Sequence, residues 1–132
     1  MSFDNWNVPE RRCSLELFML LTENIDISKP LQQKDVDKMN AILEEKTIRT
    51  NHLNSSIVLH NGKIDSRYTG NSFVFVRLDI AGRNNTIRGV PIKARVVDYF
   101  RAQHGIFLSH VTAPLFVVGE KKYPLQCLDV QI

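Results

Sequence analysis

The chain has little cysteine and no long apolar run, and each absence limits what the protein can be. Its two cysteines, Cys13 and Cys127, are too few for a disulfide framework and too far apart for any metal-binding spacing, so we expect buried thiols. No apolar stretch approaches the roughly 20 residues that span a bilayer, and no basic segment precedes an apolar core at the N-terminus. We therefore expect an intracellular protein, cytoplasmic or nuclear, without a membrane span.

The sequence also lacks the local motifs of several large enzyme classes. It contains no P-loop, no G-x-S-x-G, no H-E-x-x-H and no G-x-G-x-x-G. Histidines are present, but none is spaced from a Cys, His or carboxylate as a metal ligand set requires. They are His52, His60, His104 and His110. We expect no enzyme activity, no metal and no cofactor.

The charge is distributed unevenly along the 132 residues, which suit one ordinary domain. Residues 1–50 hold 7 Lys and Arg against 9 Asp and Glu, whereas residues 51–132 hold 10 against 5. The basic part also carries most of the aromatic rings, a combination that suits single-stranded nucleic acid because cations follow phosphates and rings stack on bases. A mildly basic surface over a Phe-rich core is the alternative interpretation.

Periodicity divides the chain into helices followed mainly by strands. Ser14 is a capping residue before a helix over residues 14–23, and apolar residues at helical spacing predict a second helix over residues 32–45. Asn61-Gly62 is the strongest turn signal. Further along, we predict strands at 48–52, 57–60, 73–77, 86–92, 106–108, 115–118 and 126–130, a turn at 81–85 and a helix at 93–103. This order fits a small barrel that carries an αβ insertion.

An ordered set of features in the last third of the chain resembles the closing half of a PAZ domain, the module by which Argonaute and Dicer proteins hold an RNA 3′ end. The features are Tyr99-Phe100, His104, Pro114-Leu115, Val118-Gly119, Lys121-Lys122 and Tyr123-Pro124-Leu125. Residues 48–52 also resemble the family's first strand, and Ser72-Phe73 resembles a Thr-Phe step in its inserted hairpin. The chain is thus similar to a divergent PAZ domain of the Argonaute and Piwi family.

The resemblance implies an α+β fold: an OB-like small β-barrel with an inserted β-hairpin/α-helix module and two N-terminal helices. Residues 1–132 would form a single PAZ domain, with the helices at about 14–45 and the barrel with its insertion at about 47–130. Its partners would be the single-stranded 3′ end of a small guide RNA and the remainder of a larger Argonaute chain that acts in RNA silencing. We expect a monomer in isolation.

The resemblance also assigns roles to individual residues. Tyr99 and His104 would donate hydrogen bonds to the phosphate between the last two nucleotides, and His52 would join them. Phe73 would pack on the terminal nucleotide, a contact worth roughly 1 to 3 kcal/mol. The implied contacts to the RNA 3′ end are His52, Phe73, Tyr99, His104, Lys121, Lys122 and Tyr123, and the phosphate contacts assigned beyond them are Arg77, Arg83, Arg88 and Arg101.

Structural alternatives remain open for these residues. Tyr99 could be a core ring, His104 could interact with the helix dipole, and the two lysines could form an ordinary solvated turn. Phe73 alternates with Phe75, so we expect one of the two rings in the core and assign Phe73 to the ligand. His60 could replace His52.

The chain also departs from the family in ways that keep other functions open. Between residues 52 and 73 it carries only Lys63 and Arg67, where the family has several cations, and Gln126 stands where a Glu is usual. The alternatives are a PAZ-like module with a degenerate pocket that binds proteins or acts as a spacer, a Dicer-type PAZ domain, and an unrelated OB-like single-strand binder. Salt-dependent binding of RNA ends separates the first of these from end recognition.

Overall fold

The computed structural model describes residues 11–53, 55–77, 80–81, 86–87 and 91–132, and in this part it contains three α-helices. They are Leu15–Glu23 (α1), Gln33–Leu43 (α2) and Val96–His104 (α3). The Ser14 hydroxyl accepts a hydrogen bond from the Leu17 N–H at 3.2 Å, and the Asp35 carboxylate accepts one from the Gln32 N–H at 3.3 Å. The two predicted N-terminal helices are confirmed to within two residues at each end. No helix in the described ranges is long and apolar enough to cross a membrane.

The strands are short and pair only in antiparallel fashion. In chain order they are Arg12–Ser14 (β1), Thr47–Thr50 (β2), Val58–Leu59 (β3), Lys63–Thr69 (β4), Phe73–Arg77 (β5), Ile80–Ala81 (β6), Thr86–Ile87 (β7), Pro91–Arg95 (β8), Pro114–Val118 (β9), Lys121–Tyr123 (β10) and Leu128–Gln131 (β11). A 3₁₀ helix, Leu125–Cys127, precedes β11. The sheets have the orders β1-β11-β2-β3 and β10-β9-β4, and two further pairs are β5-β8 and β6-β7.

The predicted barrel closure is not seen among the residues that the structure describes. β3 pairs only with β2, and β4 pairs only with β9, so the four-stranded and three-stranded sheets share no hydrogen-bonded ladder. The β4-β9 register also shifts between Asp65 and Thr69, which interrupts that ladder. What the structure shows is a small α+β protein with several open antiparallel sheets.

The two larger sheets nevertheless enclose one buried cluster, which we call the main core. It combines apolar side chains of α1, α2 and both sheets. Its fully buried members include Leu15, Met19, Val36, Met39, Ile64, Phe116, Leu128 and Val130. Burial of apolar side chains from both N-terminal helices and both sheets therefore holds this part of the protein together.

Two contacts of the three-stranded sheet show how closely the main core is packed. Asn40 of α2 bonds to the Ile64 backbone twice, since its Nδ2 donates to the carbonyl at 2.8 Å and its Oδ1 accepts from the N–H at 2.7 Å. At Gly62, a Cβ atom would collide with the Phe116 ring and would lie 2.8 Å from a Val118 methyl group. Glycine is thus required at position 62 because of a close approach, and the preceding Asn61 makes the turn with φ of 59°.

The hairpin β5-β8 and α3 form a unit that lies between β4 and β9 in sequence, which we call the hairpin–helix module. Helix α3 begins directly after β8, and its first N–H groups donate to the segment before β5: Val96 to the Ser72 carbonyl and Val97 to the Gly70 carbonyl, both at 2.9 Å. Val96 and Phe100 are buried against Leu115 and Cys127 in a second, smaller core.

Several predicted boundaries were wrong. The helix predicted from residue 93 begins at Val96, because residues 93–95 pair with β5 instead. Residues 106–108 are not a strand, the strand predicted over 48–52 ends at Thr50, and β1, β4 and β10 were not predicted. In the turn predicted at 81–85, Ala81 belongs to β6 and residues 82–85 lie outside the described residues.

Candidate functional site

The candidate site is a cleft of about 310 Å³ between the hairpin–helix module and the main sheets. One wall comes from β5 and α3, and the other from His52, Leu53 and Ile57 together with residues 120–123. Of the residues assigned to the RNA 3′ end, the lining includes His52, Tyr99, His104, Lys121, Lys122 and Tyr123. Phe73 does not line it. Four segments of the chain therefore meet at one depression.

Aromatic and imidazole rings form a continuous cluster in this cleft. The His52 ring centroid lies 4.9 Å from that of His104, 5.5 Å from that of Phe100 and 6.2 Å from that of Tyr123. The Tyr99 centroid lies 5.5 Å from that of Phe100 and 5.7 Å from that of His104, both edge to face. These separations are those of favourable aromatic pairs, so the rings hold one another in position.

The helical repeat of α3 explains why its side chains converge on the cleft. Val96, Phe100 and His104 are spaced four residues apart and Tyr99 adjoins Phe100, so all four lie along one side of the helix and line the cleft. Phe100 is buried, whereas Tyr99 and His104 are half-buried. The helix is therefore anchored in the second core by Val96 and Phe100. It presents the phenol of Tyr99 and the imidazole of His104 to the cleft.

The opposite wall is held by hydrogen bonds of Asn51, the residue before His52. The Asn51 N–H donates to the Cys127 carbonyl at 2.8 Å, and its Nδ2 donates to the Gln126 carbonyl at 3.1 Å and to Asp129 Oδ1 at 2.9 Å. The residue before His52 is thereby tied to the segment that follows Tyr123. His60, the alternative to His52, is exposed and does not line the cleft.

His52 lies in a setting that favours a neutral imidazole. Its Nδ1 is buried and has no hydrogen-bond partner. Burial lowers the pKa of His52 and the neighbouring His104 lowers it further, while the Cys127 backbone acts in the opposite direction. The pKa of Tyr123 is raised by burial and by the nearby Tyr99, which keeps the Tyr123 hydroxyl protonated as a hydrogen-bond donor.

The lysines of the cleft belong to a strand and not to the predicted turn. The turn lies two residues earlier, at residues 119–120, where Gly119 adopts φ of 60°, and Lys121 and Lys122 pair with β9 in β10. Lys122 Nζ lies 4.7 Å from the centroid of the Tyr68 ring, which fixes its side chain by a cation–π contact. Glu120 also lines the cleft, beside the two cations.

The two phenylalanines of β5 differ from the prediction. We expected one ring in the core, but Phe73 is 58% exposed and Phe75 is 77% exposed. Val74 packs against the second core, so the rings on either side of it in the strand point away from that core. Phe75 lines the cleft, whereas Phe73 lies beside Lys93, whose Nζ is 4.8 Å from the ring centroid. Strand parity alone could not distinguish the two.

The arginines assigned to phosphate contacts are not brought together in the described part of the structure. Arg101 lies outside the cleft lining, with its Cζ 5.0 Å from the centroid of the Phe107 ring. Only the backbone of Arg77 is described, paired with Pro91, and Arg83 and Arg88 lie outside the described residues.

Sequence reasoning missed the apolar floor of the cleft and its acid. Leu53, Ile57, Val74, Val76 and Glu120 line it. The valines carry one signal in the sequence, because their alternation with Phe73 and Phe75 places Val74 and Val76 on the same face of the strand. Leu53 and Ile57 carry no such signal.

The two cysteines differ in burial, and neither lines the cleft. Cys127 is buried, and burial together with Glu16 raises the pKa of its thiol to about 12, so it is not a nucleophile at neutral pH. Cys13 is half-buried, which corrects the prediction of full burial for both thiols. Within the described ranges, no group of three or more His, Cys, Asp or Glu residues could hold a metal ion.

No protein-family model matches the chain, and no curated protein matches it. We therefore infer a function from the geometry of the cleft and from the residues that line it.

Proposed function

We propose that this chain is a divergent PAZ-like domain that anchors the single-stranded 3′ end of a small guide RNA within an Argonaute-type protein for RNA silencing. The observation that carries the proposal is the meeting of His52, Tyr99, His104 and Tyr123 in one cleft with a lysine pair. Those positions were assigned to RNA binding by resemblance, and His52 and Tyr123 lie 71 residues apart in a chain of 132. These side chains are far apart in sequence, and the fold brings them to one cleft, which supports a shared binding role.

The cleft offers the chemistry that a nucleic-acid end requires. Phenol hydroxyls and imidazole N–H groups donate to phosphodiester oxygens, while Lys121 and Lys122 supply positive charge. Phe75 gives an exposed face on which a base can stack. None of these groups matches the pattern of a base edge, so recognition would depend on the shape and charge of the end and would tolerate any terminal base.

The proposal includes the type of fold, an OB-like barrel with an αβ insertion. The four-stranded and three-stranded sheets face one core and the hairpin–helix module is inserted between β4 and β9, which supports an opened OB-like barrel clamped by an αβ insertion. The module and the sheets form the two jaws of the cleft. We propose a noncatalytic, intracellular binding role for such a domain.

The test is fluorescence anisotropy with a short RNA labelled at its 5′ end. The RNA is offered with a free 3′ hydroxyl, with a 3′ phosphate and as a blunt duplex, each at two salt concentrations. We expect tightest binding to the free single-stranded 3′ hydroxyl and weaker binding at high salt, because phosphate contacts release counterions. Equal affinity for all three ends would contradict end recognition.

A protein-binding module with a degenerate pocket is the second candidate. It is favoured because the chain has few cationic side chains between residues 52 and 73. Arg67, one of two cations between residues 52 and 73, is engaged in an ion pair with Asp65 at 2.7 Å. In addition, α1 exposes Leu17, Leu20 and Leu21, an apolar surface of the kind that proteins cover. Absence of binding to every RNA end in the anisotropy experiment would favour this candidate.

A further inference from the structure

We propose that the His52–His104 pair takes up a proton when a phosphodiester enters the cleft, so that RNA ends bind more tightly as the pH falls. This inference rests on the proposed function, and it names a regulation of the same site. It follows from how the two imidazoles are placed and from what surrounds them.

The two rings are in edge-to-face contact, with centroids 4.9 Å apart and an interplanar angle of 84°. Two cationic imidazoles at this separation would repel each other in a half-buried setting, so the free cleft disfavours a doubly protonated pair. His52 is further enclosed by Phe100 and Tyr123, and its buried Nδ1 has no partner.

The groups that face the pair from the neighbouring elements leave it without a counter-ion. Within the described part of the chain, no carboxylate forms an ion pair with His52 or His104. The titratable and charged side chains around them are Tyr99 of α3, Tyr123, Lys121 and Lys122 of β10, Glu120 of the preceding turn, and Cys127 of the 3₁₀ helix. Among the described residues, a cationic imidazole in this cleft would thus have no ion-paired carboxylate until a phosphate enters.

Among the described residues, few other cations are available to the cleft, which makes such a proton useful. Arg67 is paired with Asp65, and Arg101 lies against Phe107 outside the cleft lining. Of the described side chains, Lys121 and Lys122 are the fixed positive charges that line the cleft. A proton on the imidazole pair supplies the missing charge only when the anion is present.

The sign of the effect follows from linkage. The pKa of His52 is lowered in the free protein, first by burial and then by His104, so the imidazole is neutral at pH 7. A bound phosphodiester is a monoanion, which raises that pKa and makes the complex bind more protons than the free protein. Affinity then rises as the pH falls, by up to about tenfold per pH unit where one full proton is taken up. We expect binding about 3- to 10-fold tighter at pH 5.5 than at pH 7.5, because uptake is partial over this range.

The experiment measures the affinity of a 5′-labelled uridine oligomer with a free 3′ hydroxyl from pH 5.5 to pH 8 at constant ionic strength. Uridine is chosen because its base does not titrate in this range. The variants are His52→Gln and His104→Gln, and the matched controls are His60→Gln and His110→Gln, since neither of those histidines lines the cleft. We expect the pH dependence to be flattened in both cleft variants and retained in both controls.

Proton uptake by the unmodified domain gives an independent measurement if the cleft variants do not fold. Titration calorimetry with the same oligomer at pH 6.5, in buffers of low and high ionisation enthalpy, counts the protons taken up on binding. We expect a positive uptake of between about 0.3 and 1 proton per RNA end.

The outcomes separate this inference from the proposed function. RNA binding with no pH dependence and no proton uptake would overturn the proton-coupled site and leave end recognition intact. Retained pH dependence in both cleft variants would assign the proton to another group and overturn it as well. No binding at any pH would end both proposals.

Discussion

The main core and the hairpin–helix module use their apolar side chains in opposite ways. The main core buries large side chains from two helices and two sheets almost completely. Of its described residues, the module buries Val96 and Phe100 and leaves both phenylalanines of β5 exposed. The difference indicates a division of labour, in which the main core supplies stability and the module supplies one wall of the cleft with little stability of its own.

The largest expected effect comes from emptying the main core. Phe116→Ala should lower the free energy of unfolding by about 3 to 5 kcal/mol, because this ring is only 2% exposed and its removal leaves a cavity. Urea denaturation followed by circular dichroism measures the loss. Phe75→Ala is the matched control in the module and should change stability by less than about 0.5 kcal/mol. Similar losses in the two variants would contradict the division of labour.

A smaller effect is expected where the main core meets a glycine. Gly62→Ala should destabilise by about 1 to 3 kcal/mol, because the added methyl group would collide with the Phe116 ring. Gly119→Ala is the control: its φ of 60° strains an added side chain, but no atom lies within 4 Å of the added methyl group. Thermal melts of both variants compare a steric clash with backbone strain alone, and an unchanged melting temperature in Gly62→Ala would show that the core can give way at position 62.

The module should respond in binding and not in stability. Phe75→Ala should weaken RNA binding by about 1 to 3 kcal/mol, which is the cost of a lost stacking face. Phe73→Ala removes the same kind of ring, which is also exposed but lies outside the cleft, and it should weaken binding less. Anisotropy with the 3′-hydroxyl RNA compares them, and a larger loss for Phe73→Ala would favour the assignment of Phe73, and not Phe75, to the ligand.

The smallest effect concerns acid stability near the main core. Hydrogen bonds from Arg67 lower the pKa of Asp65 to about 2. A carboxyl whose folded-state pKa is depressed stabilises the fold above its unfolded-state pKa of about 3.9, and that contribution is lost as the pH falls towards 2. Unfolding free energies between about pH 5 and pH 2 should therefore fall less steeply in Asp65→Asn than in the unmodified protein. Identical slopes would show that the exposed Arg67 contributes nothing in solution.

The helices were predictable because their signals are local. Ser14 caps α1, and Val36, Met39 and Leu43 recur at helical spacing on the buried side of α2. In contrast, β4 contains Asp65-Ser66-Arg67, which shows no apolar alternation, and only its pairing with β9 makes it a strand. Strand pairing also overrode the helical pattern at residues 93–95. The partners of a strand are not encoded within the strand itself.

The candidate site was predictable in its residue types but not in its geometry. Resemblance singled out His52, and only the chain's path between β2 and β3 places it, and not His60, in the cleft. Phe73 and Phe75 have equal sequence patterns, so the choice between them depends on how β5 is placed against α3. The barrel was predicted from element order, which does not determine whether the two sheets join.

The double hydrogen bond from Asn40 to Ile64 has a consequence for self-association. β4 is the outer strand of its sheet, and an outer strand offers unpaired peptide groups to a second molecule. The Asn40 amide satisfies both backbone groups of Ile64 as a neighbouring strand would, at 2.8 Å and 2.7 Å. A single side chain of α2 thus acts as a surrogate strand that caps the middle of the edge and opposes aggregation through it.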